Sequence, residues 1–206
     1  LIVIAGISIA FALNNWAEKM QSKDQESAYL ESLSADIAHD LNMLDSNLSE
    51  LRARQRYLQQ LIPHLRQTLP GRDTIIYRLF KVVDPVRFRP LETTVQSMKY
   101  SGDIKLIKDL NLRNKIVEHY ENYGITEDEY ERHRTFAQNF IAPYFMNQID
   151  YSAFRTERGL DFMNDKYFHN LVYALMGVIN LQIEAQNKAL QAAREMNKRL
   201  EEASLH

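Results

Sequence analysis

Twelve positions between Leu30 and Leu69 recur at intervals of three and four: Leu30, Leu33, Ile37, Leu41, Leu44, Leu48, Leu51, Gln55, Leu58, Ile62, Leu65 and Leu69. A residue three or four places along an α-helix returns to the same face, so this spacing draws one stripe down a long helix. All but Gln55 are apolar, which gives the stripe the character of a coiled-coil seam. Two successive steps of four around Ile37 form a stutter that locally unwinds such a supercoil. With no breaker before Pro63, a helix from Trp16 to that point would extend roughly 70 Å at about 1.5 Å per residue. Pro63 is expected to kink it, and Pro70-Gly71 to end it. A stripe this long needs helices to cover it, either from a second copy or from the same chain. Later segments of the chain supply them, which favours an intrachain bundle.

Those segments read as helix throughout. Asp73 is expected to cap a helix over 74–83 that "DPVRFRP" terminates. Leu91 to Tyr100 reads as a short helix closed by Ser101-Gly102, and Asp103 to Ile107 as a brief apolar turn. From Asp109 the spacing of Leu112, Ile116, His119 or Tyr120, Tyr123, Tyr130, Phe136 and Phe140 marks another helix. Gly124 is a point where it bends, and Pro143 bends or ends it. "QIDYSAFRTERGLDF" reads as a loop or broken helix leading to an N-cap at Asn164-Asp165. Phe168, Leu171, Leu175, Ile179, Gln182, Gln186, Leu190 and Met196 then mark a last helix to about Ala203. With six Gly and five Pro in 206 residues, and no strand alternation or fixed repeat, the fold class is all-α.

The opening of the chain is different in kind. Leu1 to Leu13 carries no charge, and Asn14, Asn15 and Trp16 follow before charges begin at Glu18 and Lys19. A bilayer span needs about 20 apolar residues, so the run is read as the exit end of a transmembrane helix, N-terminally incomplete. A signal peptide fits less well, because the run leads straight into helix-forming sequence with no small-x-small cleavage site. A buried core helix is the other reading of so short a run. In the membrane reading, Trp16 lies at headgroup level, with Asn14 and Asn15 at the exit into water. Gly6 and Ala10, four apart, offer a small-residue face for close approach of a second transmembrane helix. The few cations after Trp16 place the following domain on the translocated side. The expected organisation is a transmembrane helix over 1–16 and a water-exposed, elongated antiparallel helical bundle with coiled-coil character over 17–206.

Two stretches resemble a bacterial family of single-span membrane proteins of unknown function. One is the signature Gly-Ile-x-Ile-Ala-Leu-x-x-Asn-Asn-Trp, matched by Gly6, Ile7, Ile9, Ala10, Asn14, Asn15 and Trp16, with Phe11 in place of the leucine. "LETTVQSMKYSGDIKLIKDLNLRNKIVEHY" is the other, similar to the family's helix, Ser-Gly turn, apolar turn and Leu-Arg helix ending in aromatic residues. Met98 departs there from a usual leucine. The resemblance implies a membrane-anchored helical domain and brings no activity; the expected localisation is the bacterial inner membrane, single-pass, with the soluble domain in the periplasm.

Composition removes several classes. A formal net charge of -2 argues against nucleic acid as a partner. The absence of cysteine excludes thiolate metal sites, thiol nucleophiles and disulfides. No Glu-x-x-His pair, HExxH, P-loop, dinucleotide-binding turn or serine elbow is present, so neither an enzyme nor a cofactor is expected. Asp36, His39 and Asp40 are read as a solvated polar face beside the seam, and Glu129 with His133 as an ordinary helix-surface pair. The aromatic-rich second half is read mainly as core. The alternative is a ligand pocket, with Tyr120, Tyr123 and Arg155 as its leading residues and Arg87, Arg89 or Arg158 as further anion anchors. The expected function is a non-enzymatic structural or interaction subunit, with membrane lipid and other helical subunits, or a second copy, as partners. An extracytoplasmic sensor of a small ligand is the alternative.

Overall fold

The computed structural model describes residues 2–67, 69–71, 76–152 and 157–204; the side chains of residues 2–6, 8 and 157–158 lie outside that description. The fold is an all-α helical bundle, with no strand among the described residues. Helix α1 runs Ile2–Arg66, α2 Thr93–Ser101, α3 Leu110–Asn122, α4 Gly124–Phe136, α5 Ala142–Gln148 and α6 Lys166–Ser204. Helix α1 passes through Pro63 and ends three residues later, with the Gln67 amide still donating to the Pro63 carbonyl at 3.2 Å. Of the helix expected over 74–83, the cap residue Asp73 lies outside the described residues. What is described is helical backbone at 76–77 followed by a 3-10 turn, Leu79–Lys81.

Contacts divide the chain into two compact units. One comprises 1–41, 90–122 and 192–206; the other comprises 42–89 and 123–191.

In the first unit the seam residues Leu30, Leu33 and Ile37 are buried together with Val95, Met98, Ile107, Leu112, Ile116, Met196 and Leu200. Gly102 closes α2 with φ +81°, a left-handed conformation in which glycine carries no Cβ penalty. The segment after it is held to α1 by side chains. The Glu26 carboxylate accepts the Lys108 amide at 2.8 Å, and the Tyr29 hydroxyl donates to Asp103 at 2.7 Å. Asp36 and Asp40 accept the Thr94 and Leu91 amides at 3.2 and 2.8 Å. This corrects the expectation of a solvated face. Asp36 and Asp40 are buried; Asp36 satisfies an amide of the first turn of α2, which has no partner of its own within the helix, and Asp40 the Leu91 amide just before it, while His39 stays exposed.

In the second unit the seam continues as Leu44, Leu48, Leu51, Leu58 and Leu65, all buried, and α6 covers it with Phe168, Leu171, Leu175 and Ile179. The two helices are antiparallel. Arg52 donates to Asn187 at 3.1 Å, Gln55 to Asn180 at 2.8 Å and Arg66 to the Tyr173 hydroxyl at 2.8 Å, one number rising as the other falls. Aromatic residues fill the end of this core: Tyr144 stacks on Phe168 at 5.9 Å and Phe162 meets it edge-on at 5.0 Å. Asp165 begins α6, accepting the Tyr167 amide at 2.9 Å and the Tyr144 hydroxyl at 2.8 Å.

Pro143 does not end the helical run, which continues to Gln148. Lacking an N–H, it falls in the first turn of α5, and the preceding ladder widens to a π-helical turn, Ala137–Ile141, in which the Ala142 amide bonds Ala137. That extra residue rotates the stripe, so Phe140, expected on the buried face, is exposed.

Candidate functional site

Three places bear on function, and the first is the start of α1. Ile7, Ile9, Phe11, Leu13 and Trp16 are all exposed, Phe11 to 68% and Trp16 to 63%. At about 100° per residue these side chains fall in two sectors on opposite sides of the helix rather than along one stripe. Ala10 is exposed among them, and the surroundings of Gly6 lie outside the described residues. Asn14 donates to Glu18 at 2.7 Å, one turn on, at the point where the helix becomes polar. Among the described residues no helix is long and apolar enough to cross a membrane. From Ile2 to Leu13 the apolar part measures about 18 Å at 1.5 Å per residue, against a hydrocarbon thickness of about 30 Å.

The second place is the region expected to hold a ligand. Tyr120 is buried in the first unit and Tyr123 in the second, where it meets Phe88 edge-on at 5.0 Å; Arg155 lies outside the described residues. Burial, with Asp36, Asp40 and Glu92 nearby, pushes the Tyr120 phenol far above its ordinary range, so it stays protonated. Arg87 is committed to Glu127 at 3.1 Å and lies 5.0 Å over the Tyr130 ring. In the second unit a cavity of about 10 Å³ lies among Leu79, Ile141, Phe145 and Phe168. More room exists in the first unit, in a cleft of about 190 Å³ lined by Lys115, Glu118, His119 and Asn122 of α3 and by Glu195, Met196 and Arg199 of α6. His119 is buried beside the Tyr120 ring at 5.4 Å, and burial lowers its pKa from 6.5 to about 4. It is therefore a neutral polar group at pH 7. Lys115 pairs with Glu118 at 2.7 Å.

The third place was missed by spacing alone. His133 is fully buried, not part of a surface pair with Glu129. Its Nδ1 is 2.9 Å from Gln182 Oε1 and its Nε2 is 2.9 Å from the Val83 carbonyl, while Glu129 pairs with Arg132 at 2.9 Å instead. The signal was present in the sequence. Gln182 and Gln186 occupy core positions of the α6 stripe, and a buried glutamine requires polar partners from the facing elements. Among the described residues no three His, Asp or Glu side chains converge as a metal ion would need. No family model, curated protein or solved structure matches this chain.

Proposed function

We propose that the chain is a membrane-anchored helical protein of the bacterial inner membrane, non-enzymatic, acting as a structural or interaction subunit of a membrane complex from the periplasmic side. The observation that carries this is the set of exposed apolar side chains Ile7, Ile9, Phe11, Leu13 and Trp16, which lie on two opposite sides of one helix. Burying side chains of this kind is worth about 1.5–3 kcal/mol each, and lipid is the medium that covers them all at once. Ala10 and Gly6 form the face for a neighbouring transmembrane helix. Expression of the full native protein tests the proposal. It should stay in the membrane pellet after alkaline carbonate, dissolve in mild detergent, and bring down other membrane proteins or form an oligomer. Recovery as a monomer in the carbonate supernatant would refute it.

A second reading, a periplasmic module that binds a small ligand, is favoured by the cleft between α3 and α6, where opposite charges surround a neutral imidazole. Such a lining suits a small zwitterion. A screen of free amino acids for a rise in melting temperature, lost in Arg199→Ala, checks it; no rise across the screen counts against it.

A further inference from the structure

Residues 82–89, "VVDPVRFR", form a strap in the second unit that belongs to no helix. Pro85 removes one amide from it. Its carbonyls are held by side chains instead. Val83 faces His133 of α4, Asp84 accepts from Arg54 of α1, Val86 accepts from Gln182 of α6 at 3.1 Å, and Arg87 accepts from Asn47 of α1 at 3.2 Å. Of these four holders, His133 alone has an ordinary pKa near neutrality.

The geometry at His133 is unbalanced. A neutral imidazole carries one N–H, yet both ring nitrogens face carbonyl oxygens at 2.9 Å. Rotating the Gln182 amide would give Nδ1 a donor and leave the Val86 carbonyl facing an oxygen. A second ring proton would complete both bonds, but it would place a full charge where the residue has 0% exposure. The charged groups around it do not compensate. Arg54 of α1 is a cation, Asp84 of the strap is exposed, Glu129 on α4 itself is engaged with Arg132, and α6 contributes the neutral Gln182 amide. Burial is the largest influence and holds the His133 pKa below its ordinary value.

We propose that the strap is an acid-released element, fastened while His133 is neutral and freed when the ring takes a proton. With the strap away, the imidazole meets water and regains its ordinary proton affinity, so each proton bound favours the open form. Release bares Val82, Val86 and Phe88, which are buried in the closed form.

Hydrogen exchange on the full chain between pH 7.5 and 5.0, corrected for the intrinsic pH dependence of exchange, tests this. Peptides covering 83–89 should lose protection several-fold on acidification, while those covering 170–180 of α6 keep theirs. In His133→Gln, which keeps an amide donor for Val83, the strap's protection should no longer depend on pH. Should that variant fail to fold, the His133 titration of the wild type, followed by ¹⁵N NMR, should share its midpoint with the loss of protection. Constant protection of 83–89 across the range, an unchanged pH response in the variant, or a titration midpoint apart from the exchange midpoint would each overturn the proposal.

Discussion

Replacing His119 should remove a defined part of the protein's acid sensitivity. The ring is buried beside Tyr120, and its pKa falls from 6.5 to about 4 in the folded chain because burial penalises the imidazolium. The folded state therefore refuses a proton that the unfolded state accepts throughout the interval between those values. Stability from the neutral ring is complete above pH 6.5, declines as the pH falls, and is exhausted near pH 4. Between pH 7.5 and 4.5 the proton-binding difference amounts to about 2.5 kcal/mol, from 1.36 kcal/mol per pH unit over most of the interval. Carboxylates contribute their own acid loss, so the informative quantity is the wild type minus His119→Phe, which keeps a ring of similar size and cannot ionise. Urea unfolding of both chains in mild detergent, followed by far-ultraviolet circular dichroism at the two pH values, supplies it. The wild type should lose about 2.5 kcal/mol more than the variant on acidification. Parallel losses in the two proteins would mean that the ring is already solvated or charged at neutral pH, and the assignment of His119 as a neutral buried group would fail.

Other substitutions probe the packing. Asp40→Ala leaves the partly buried Leu91 amide without its acceptor and should cost about 1–2 kcal/mol, while Asp40→Asn, which retains an acceptor oxygen, should cost less; melting temperatures rank the two. Leu58→Ala in the second core should cost about 3 kcal/mol in urea unfolding, against less than about 0.5 kcal/mol for the exposed Leu181→Ala. Equal costs would place the seam on the wrong face. Gly102→Ala should cost about 1 kcal/mol from backbone strain alone, since an added Cβ meets open space there; a much larger loss by thermal unfolding would point to a clash that the structure does not contain.

The long elements were legible because each carries one dominant period. Leu30 to Leu65 and Phe168 to Met196 are buried stripes whose spacing alone defines two helices and their inner faces. Gly102 and Asp165 announced a helix end and a helix start through backbone conformations and capping chemistry that few other residues supply. What escaped depends on partners distant in sequence. Asp36 and Asp40 look like surface residues until the amides of Leu91 and Thr94 arrive beside them. His133 looks like half of an i,i+4 pair until Val83 and Gln182 close around it. Phe140 left the expected face because Pro143 shifts the hydrogen-bond ladder by one residue, a local event that a strict 3.6 period does not contain. Tyr120 and Tyr123, the leading residues of the expected ligand pocket, fall in different units, and a cleft of about 190 Å³ lies beside His119 in the first. Aromatic content marked where bulk is buried, not where space is left.

Trp16 is the sole tryptophan of the chain, which makes it a private reporter of the apolar stretch. With the full native protein reconstituted in phospholipid vesicles, its fluorescence should be blue-shifted and quenched most strongly by labels placed at the headgroup and upper acyl level, and far less by iodide in the aqueous phase. Emission at the wavelength of a solvated indole, quenched by iodide and indifferent to every lipid label, would contradict the anchor on which the proposed function rests.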